Sequence, residues 1–416
     1  MSTKFEYSID SVIITSAVGV DKEIKDLVMG VSFFESLYSP YIKCELSIAD
    51  AANLIETIPI IGQEKIKLII KDHNTNIIIK REFYVSSVQN YTKGNAQAAM
   101  YILKLVTPEY MINSVATVSQ AYNGPISDII KKLVENHLKS KVKTLEQSNG
   151  DYKVVIPTWN PYKALDWLAK RAKNSKNYPF TLYETLNDGI IFESYETIFK
   201  KIVFNKYVHR GGSTAKDDVE QKGAMMNTAL QYDISDMSNT GKVLLRGAFG
   251  RKMHVIDHSK RSYKLVTYDY LEDFKRKARL SEQPYVSSEF KLDNKSLNEH
   301  DAIHTLGFKN SLSYGNLHNY NDEIEYNILE NEPFLNQLGL IKVALTVKGR
   351  ADLSVGKIID FEVERNRPTT VATGKNANEY LSGRYVIQNI HHKMEQGKYY
   401  IIMEVAKDSL SKKAKK

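Results

Sequence analysis

The residues that come nearest to the spacing of a catalytic centre are His300, Asp301, His304, Gly307 and Asn310, in the run HDAIHTLGFKN. The pattern H-x-x-x-H-x-x-G sets two imidazoles on one helix face to hold zinc, with a Glu beside the first His as general base. Here the base position holds Asp301, one methylene shorter, and the third-ligand position holds Asn310, a poor zinc ligand. A zinc-dependent hydrolase using His300 and His304 is therefore the weaker reading, set against an ordinary polar turn or helix. His254 and His258 repeat the i, i+4 spacing, but the alternation around them is that of a strand, which sets them about 13 Å apart. His391 and His392 adjoin in a strand-like run and so face opposite sides.

Other chemistries lack their signatures. GKVLLRG and RGG do not have the spacing of a phosphate loop, and no G-x-S-x-G elbow occurs. The single cysteine, Cys44, rules out an intramolecular disulfide and a cysteine metal cluster; in YIKCELSI it alternates like a sheet residue. The 49 acidic residues leave a glycosidase-like carboxylate pair open, because sequence does not report their separation. The expectation is a protein that is not an enzyme, with no cofactor and no metal.

The elements are those of an ordinary folded protein. Apolar content of 42% and charged content of 25% over 416 residues are those of a folded chain of several domains. The N-terminus MSTKFEYSID has no apolar leader, and no window reaches the roughly 18 apolar residues of a membrane-spanning helix, so stable membrane insertion is not expected. The net charge of +8 is spread among acids, and the tight basic run is SKKAKK at the end. No nucleic-acid-binding module is recognisable.

Tyr385–Ile390 and Tyr399–Val405 flank a polar segment with Gly397, the pattern of a hairpin. Phe83–Val88 and Tyr101–Val106 repeat that order around Gly94, with Tyr101, Ile102, Leu103 and Val106 set against Tyr400, Ile401, Ile402 and Val405. Upstream, IGQEKIKLII (61–70) and VGKIIDFEV (355–363) each place a glycine before a strand-like run. One β-module used twice in the same chain follows. Between the copies, the period changes to helical. PISDIIKKLVENHL places Ile126, Ile129, Ile130, Leu133 and Leu138 on one face. TWNPYKALDWLAKRA predicts a helix with Asn160 as cap, Pro161 in its first turn and Leu165 and Leu168 in the buried stripe, while Trp159 and Trp167 anchor the insert's core. Asn187–Gly189 then marks a tight hairpin turn.

The fold class expected is α+β, mainly β, with two similar modules and α/β inserts. Residues 1–108 make the first module. An insert of two amphipathic helices and a hairpin covers 109–222, with a polar linker at 211–223. The second module is 223–256 with 335–408, interrupted by an insert at 257–334 whose elements the sequence does not place. Residues 409–416 are a basic, mobile tail. Tyr101, Leu103, Tyr385, Ile387, Tyr400 and Ile402 are assigned to the module sheets, and Gly356 and Gly383 to strand starts or bulges.

The ordered segments PYIKCELSIAD, LIETIPIIGQEKIKL, ISDIIKKLVENH, VIPTWNPYKALDWLAKRA, VKGRADLSVGKIIDFEV and LSGRYVIQNIHHK resemble the baseplate hub subunit of contractile-tailed bacteriophages, a family related to the hub part of type VI secretion spike proteins. The resemblance runs over roughly residues 5–408 and is weakest at 269–320. It implies tube-like β-barrel modules that assemble as a homotrimeric ring, so that six modules adapt a threefold spike to a sixfold tail tube. The implied partners are the central spike protein, the tail tube protein and baseplate wedge proteins, with DNA only passing through the pore. The implied location is the virion tail baseplate, after assembly in the host cytoplasm. The chain ends soon after its last strand, which implies that the spike is a separate protein. A cell-wall-binding tail-tip protein is the third reading.

Overall fold

The structure is a computed structural model describing residues 5–58, 60–95, 98–209, 226–237, 240–287, 289–314, 324–364 and 378–411. Thirteen strands, β1 to β13 in chain order, form one main sheet. The first seven are β1 Tyr7–Thr15, β2 Asp21–Glu23, β3 Val28–Ser36, β4 Lys43–Asp50, β5 Lys65–Asp72, β6 Ile78–Asn95 and β7 Ala98–Val106. The rest are β8 Val203–His209, β9 Ala229–Met237, β10 Ile341–Lys348, β11 Ile358–Val363, β12 Gly383–Glu395 and β13 Lys398–Lys407. Their sequences alternate as a sheet with one covered face requires. In β4, Cys44, Leu46 and Ile48 are buried while Lys43 and Ser47 are exposed; in β10, Ile341, Val343, Leu345 and Val347 are buried.

The two halves of this sheet share one arrangement. The first runs β3-β4-β7-β6-β5 and the second β9-β10-β13-β12-β11, antiparallel at every step and in the same chain order. They share two β-bulges as well. The register shifts between Val28 and Gly30 in β3 and between Ala229 and Gln231 in β9, then between Val85 and Ser87 in β6 and between Ile387 and Asn389 in β12. The halves differ outside these five strands: β1 lies antiparallel on β5, whereas β8 lies parallel on β11.

Closed barrels are not found among the described residues. The main path is open from β9 to β2, and the halves join edge to edge through β12 and β3. In the second half β8 approaches β9 through the single bridge Val208↔Thr228. One contiguous core, from Val12 and Phe33 to Tyr385 and Val405, serves both halves.

The first insert has its own core, in which Ile126, Ile129, Ile130 and Leu133 of the helix Ile126–His137 meet Leu165 and Leu168 of the helix Pro161–Ala169. Asn160 stands at the cap position but turns its amide to the carbonyls of Asn113 and Ala116; Asn113 instead accepts the Tyr162 amide at 2.8 Å. Phe180–Thr185 and Gly189–Ser194 pair as the predicted hairpin, with Gly189 at φ +68° in the turn. Residues 203–209, read as part of this insert, are β8 of the main sheet.

The second insert begins earlier than the sequence reading placed it. Gly250–Asp257, assigned to the second module, pairs antiparallel with Ser262–Asp269 and parallel with Ile303–Lys309 in a separate three-stranded sheet with its own core. Alternation marks a strand but does not say which sheet takes it. Pro333 sits in the first turn of the helix Glu332–Gln337, straight after a π-helical turn, Tyr326–Asn331. Residues 409–411 are docked rather than mobile: Leu410 and Gln283 exchange backbone bonds of 2.9 and 3.0 Å, and Ser409 Oγ accepts the Ser281 amide at 2.7 Å. The basic run 412–416 and the linker 211–223 lie outside the described residues. Among the described residues no helix is long and apolar enough to cross a membrane.

Candidate assembly interface

The two halves meet where Asn389–Glu395 of β12 pairs antiparallel with Gly30–Ser36 of β3. β12 serves two partners on one edge, because it pairs with β11 up to Val386, and the bulge at Gln388 lies between the two ladders. On the outer face Phe34 stacks on His391 with ring centroids 4.4 Å apart, and a His391 ring nitrogen lies 2.9 Å from Ser32 Oγ. On the inner face Val31, Phe33, Ile390 and Met394 are buried.

That inner face also holds a carboxylate. Glu35, buried on β3, accepts the Leu186 amide at 2.6 Å and the Val355 amide at 3.0 Å. One side chain thereby joins the first half, the hairpin turn of the first insert and the approach to β11. Burial raises its carboxyl to about 7, held back by the two amide bonds and by Arg81, while Glu184 pushes the same way as burial. His392, whose ring nitrogen lies 3.8 Å from Glu35, is fully buried with Nδ1 2.7 Å from Tyr399 Oη. Burial, with His391 adding to it, pushes its imidazole down to about 3, so it is neutral at pH 7. Beside them Glu184 of the insert pairs with Arg81 of β6 and accepts the Ile42 amide at 3.3 Å, and Thr181 Oγ1 donates to the Leu37 carbonyl at 2.6 Å. The insert is thus latched to the first half by buried polar bonds.

Glu35 shares inward parity with Val31 and Phe33 in VMGVSFFES, and the period of two was the signal that placed an acid in the core. The residues expected in the module sheets divide. Tyr101, Leu103, Tyr385 and Ile387 are buried in the core, whereas Tyr400 is half-buried and Ile402 is 41% exposed on the outer face. The bulges explain why. Val85 corresponds to Ile387 and Leu105 to Val405, so Tyr101 matches Ile401, one residue further along than the sequence comparison placed it. Gly356 has φ +74°, and Gly383, the first residue of β12, has φ +131°. Leu165 and Leu168 are fully buried in the insert's core, but Trp159 and Trp167 pack on its rim, edge to face at 5.8 Å, with Lys163 over one ring and Arg171 over the other.

His300 and His304 do not share a helix face. His304 lies on the strand Ile303–Lys309, while His300 precedes it and has a ring nitrogen 2.8 Å from the Leu292 carbonyl. The zinc reading loses the geometry it needs. Among the described residues no group of three or more His, Cys, Asp or Glu side chains is placed to hold a metal.

Two strand edges complete the picture. The β5 ladder on β6 stops at Tyr84; beyond it, Ser87–Lys93 pairs with β7 on one side and with no strand on the other among the described residues. β9 pairs with β10 on one side, and past Ala229 its other edge likewise carries no strand among the described residues.

No family model matches the chain. A curated relative named "Probable baseplate hub protein gp334", of Vibrio phage KVP40, is 21% identical over 389 residues, covering 86% of this chain and 85% of the relative. Among solved structures, a tail protein from Neisseria meningitidis MC58 is similar with a TM-score of 0.56 at 10% identity, covering 97% of both chains. A 43 kDa tail protein of prophage MuSo2 from Shewanella oneidensis gives 0.54 at 10% identity, covering 96% of this chain and 98% of that one. The chain is thus similar in sequence to a probable baseplate hub protein of a phage and in fold to two tail proteins, and the resemblance read from its ordered segments is borne out.

Proposed function

We propose that three copies of this chain form the hub ring of a contractile phage tail, a structural role without catalysis. The observation that carries the reading is the repeat itself: five strands in one order, with bulges at the same two places, occur twice in a single chain. Three such chains present six near-equivalent strand sets, so one ring offers threefold symmetry to a central spike and approximate sixfold symmetry to a tail tube. The two inserts carry their own cores and are free to hold baseplate wedge proteins. DNA only passes through the pore. The ring assembles in the host cytoplasm and ends in the virion baseplate.

Light scattering on the purified chain tests this, with a mass of three copies expected, alone or with its spike protein. A chain that stays monomeric at high concentration and in the presence of spike and tube proteins would overturn the reading.

A further inference from the structure

We infer that a two-chambered cavity between the halves and the inserts receives the C-terminal end of another polypeptide, its carboxylate in a cationic chamber and an apolar side chain in the chamber beside it. The inference is independent of the trimer reading, because one chain supplies every wall of the cavity.

All four parts of the chain meet there. Tyr38, in the turn that follows β3, and Leu335, on the helix Glu332–Gln337 of the second insert, line both chambers. On one side of them Phe180 and Leu182 of the first insert's hairpin, with Ala169 and Tyr195, help enclose about 520 Å³. On the other side Lys342 of β10, Gln388 of β12 and Arg246, which follows the helix Thr240–Leu245, bound about 290 Å³. Together the chambers have the size of an ordinary ligand site, roughly 300–1,000 Å³.

Their chemistry differs. The larger chamber is lined mainly by apolar and aromatic side chains, and its one acid, Asp166, is paired with Lys170 at 2.7 Å. In the smaller one Lys242, Arg246 and Lys342 stand against a single carboxylate, Glu404, which Lys342 already engages at 2.8 Å. That positive excess selects an anion. Gln388 adds a second requirement. It is the bulged residue of β12, is 1% exposed and lines the smaller chamber, and its Oε1 has no hydrogen-bond partner. A buried acceptor left unmatched is costly, and a ligand that brings it an N–H recovers that cost.

Three demands therefore fall on one ligand: an anionic end, an N–H donor beside it and an apolar group next to both. The last residue of a polypeptide meets the first two with its carboxylate and its own amide, and the residue before it supplies the third. A fatty-acid anion lacks the donor, and inorganic phosphate lacks the apolar group.

The test is fluorescence anisotropy on the full chain with a labelled hexapeptide, Gly-Ser-Gly-Ser-Phe-Ala, ending in a free carboxylate. It is expected to bind with Kd below about 1 mM, and its C-terminal amide about tenfold more weakly. Arg246→Gln, a change to an exposed side chain, is expected to bring the acid down towards the amide. Methylating the peptide's last amide nitrogen is expected to weaken binding about fivefold, and Gln388→Leu to do the same. Combined, the two changes are expected to cost no more than either alone, since both remove one bond. Gln388→Leu is also expected to keep or raise the urea midpoint, because the unmatched acceptor is gone. Should that variant fail to fold, the methylated peptide on the unaltered chain decides the same point. Acid and amide binding alike, no loss on methylation, or no binding up to about 1 mM would each overturn the inference. Decanoate binding as tightly as the peptide would give the site to a fatty-acid anion and overturn the peptide assignment.

Discussion

Val85 and Ile387 hold the same position in the two halves of the main sheet. Each precedes its bulge, and each donates its amide to the residue before the neighbouring strand's ladder, Val85 to the Glu64 carbonyl at 2.9 Å and Ile387 to the Lys357 carbonyl at 3.0 Å. The bulge shifts the parity of everything beyond it, so deleting the bulged residue turns the following side chains to the other face. Deleting Gln388 would displace Ile390, His392 and Met394 from the core, and a loss of more than about 4 kcal/mol in urea unfolding is expected. Deleting Ser86 disturbs a stretch that is largely exposed in the single chain. Its cost to the urea midpoint is expected to be much smaller. Equal losses of monomer stability from the two deletions would contradict this account of the bulges.

Ile401 and Ile402 test the face assignment of β13. Ile401 is fully buried and Ile402 is 41% exposed. Ile402→Lys is expected to change unfolding stability by no more than about 0.5 kcal/mol, as at an ordinary surface site. Ile401→Lys places an ammonium in the core and is expected to prevent folding or cost upwards of about 4 kcal/mol. Circular dichroism against urea distinguishes the two, and a severe Ile402→Lys would show that the face had been assigned wrongly.

How much of this was legible follows from the same strands. Alternation in KCELSIAD and IKVALTVK and the hairpin at Asn187–Gly189 mark their elements directly, and the duplicated hairpins revealed the repeat. The comparison nevertheless aligned Tyr101 with Tyr400 instead of with Ile401. Matching tyrosines outweighed an extra bulged residue that leaves no composition signal, and a slip of one inverts every side chain. Glu35 went unnoticed because an acid in a strand is usually read as a solvent-facing residue. The His300 and His304 spacing suggested a helix, but Ile303, Thr305 and Phe308 are the β-forming residues of a strand that pairs with Gly250–Asp257.

Glu35 predicts a pH dependence whose sign is set by burial. Its carboxyl is raised to about 7 in the folded chain, above the ordinary Glu value near 4.3 expected when unfolded. The folded state therefore binds the extra proton between those limits, and this group's contribution to stability is full below about pH 4 and falls as pH rises towards 7. The slope from one such group approaches 1.4 kcal/mol per pH unit at most. Urea unfolding at pH 5.0 and 7.5 is expected to show the chain losing stability at the higher pH. In Glu35→Gln that decrement should shrink, though the variant is less stable at both values because one amide of Leu186 or Val355 loses its carboxylate acceptor. An unchanged pH dependence would assign the effect to another group, Glu184 first, since burial raises it to about 7 as well.

Gly356 makes the last prediction, and two separate costs can be told apart there. Its φ of +74° strains any residue with a side chain, and a Cβ built on it would come within 2.5 Å of the Tyr183 hydroxyl. That hydroxyl is committed elsewhere, donating to Glu193 at 2.5 Å, and Lys201 also donates to Glu193 and reaches the Gly356 carbonyl at 3.2 Å. Tyr183 is therefore not free to swing aside. Gly356→Ala is expected to lose about 2 to 4 kcal/mol, roughly 1 from the backbone and the remainder from the displaced ring. Tyr183→Phe removes the colliding oxygen but leaves the Glu193 carboxylate short of a donor, so alone it is expected to cost about 1 to 2 kcal/mol. The double variant should then be more stable than the sum of the single losses predicts, by about 1 kcal/mol, because the closest contact, with the oxygen, is absent from it and the ring carbon at 3.0 Å is left. Strict additivity would place the whole Gly356→Ala effect in the backbone and remove Tyr183 from the account.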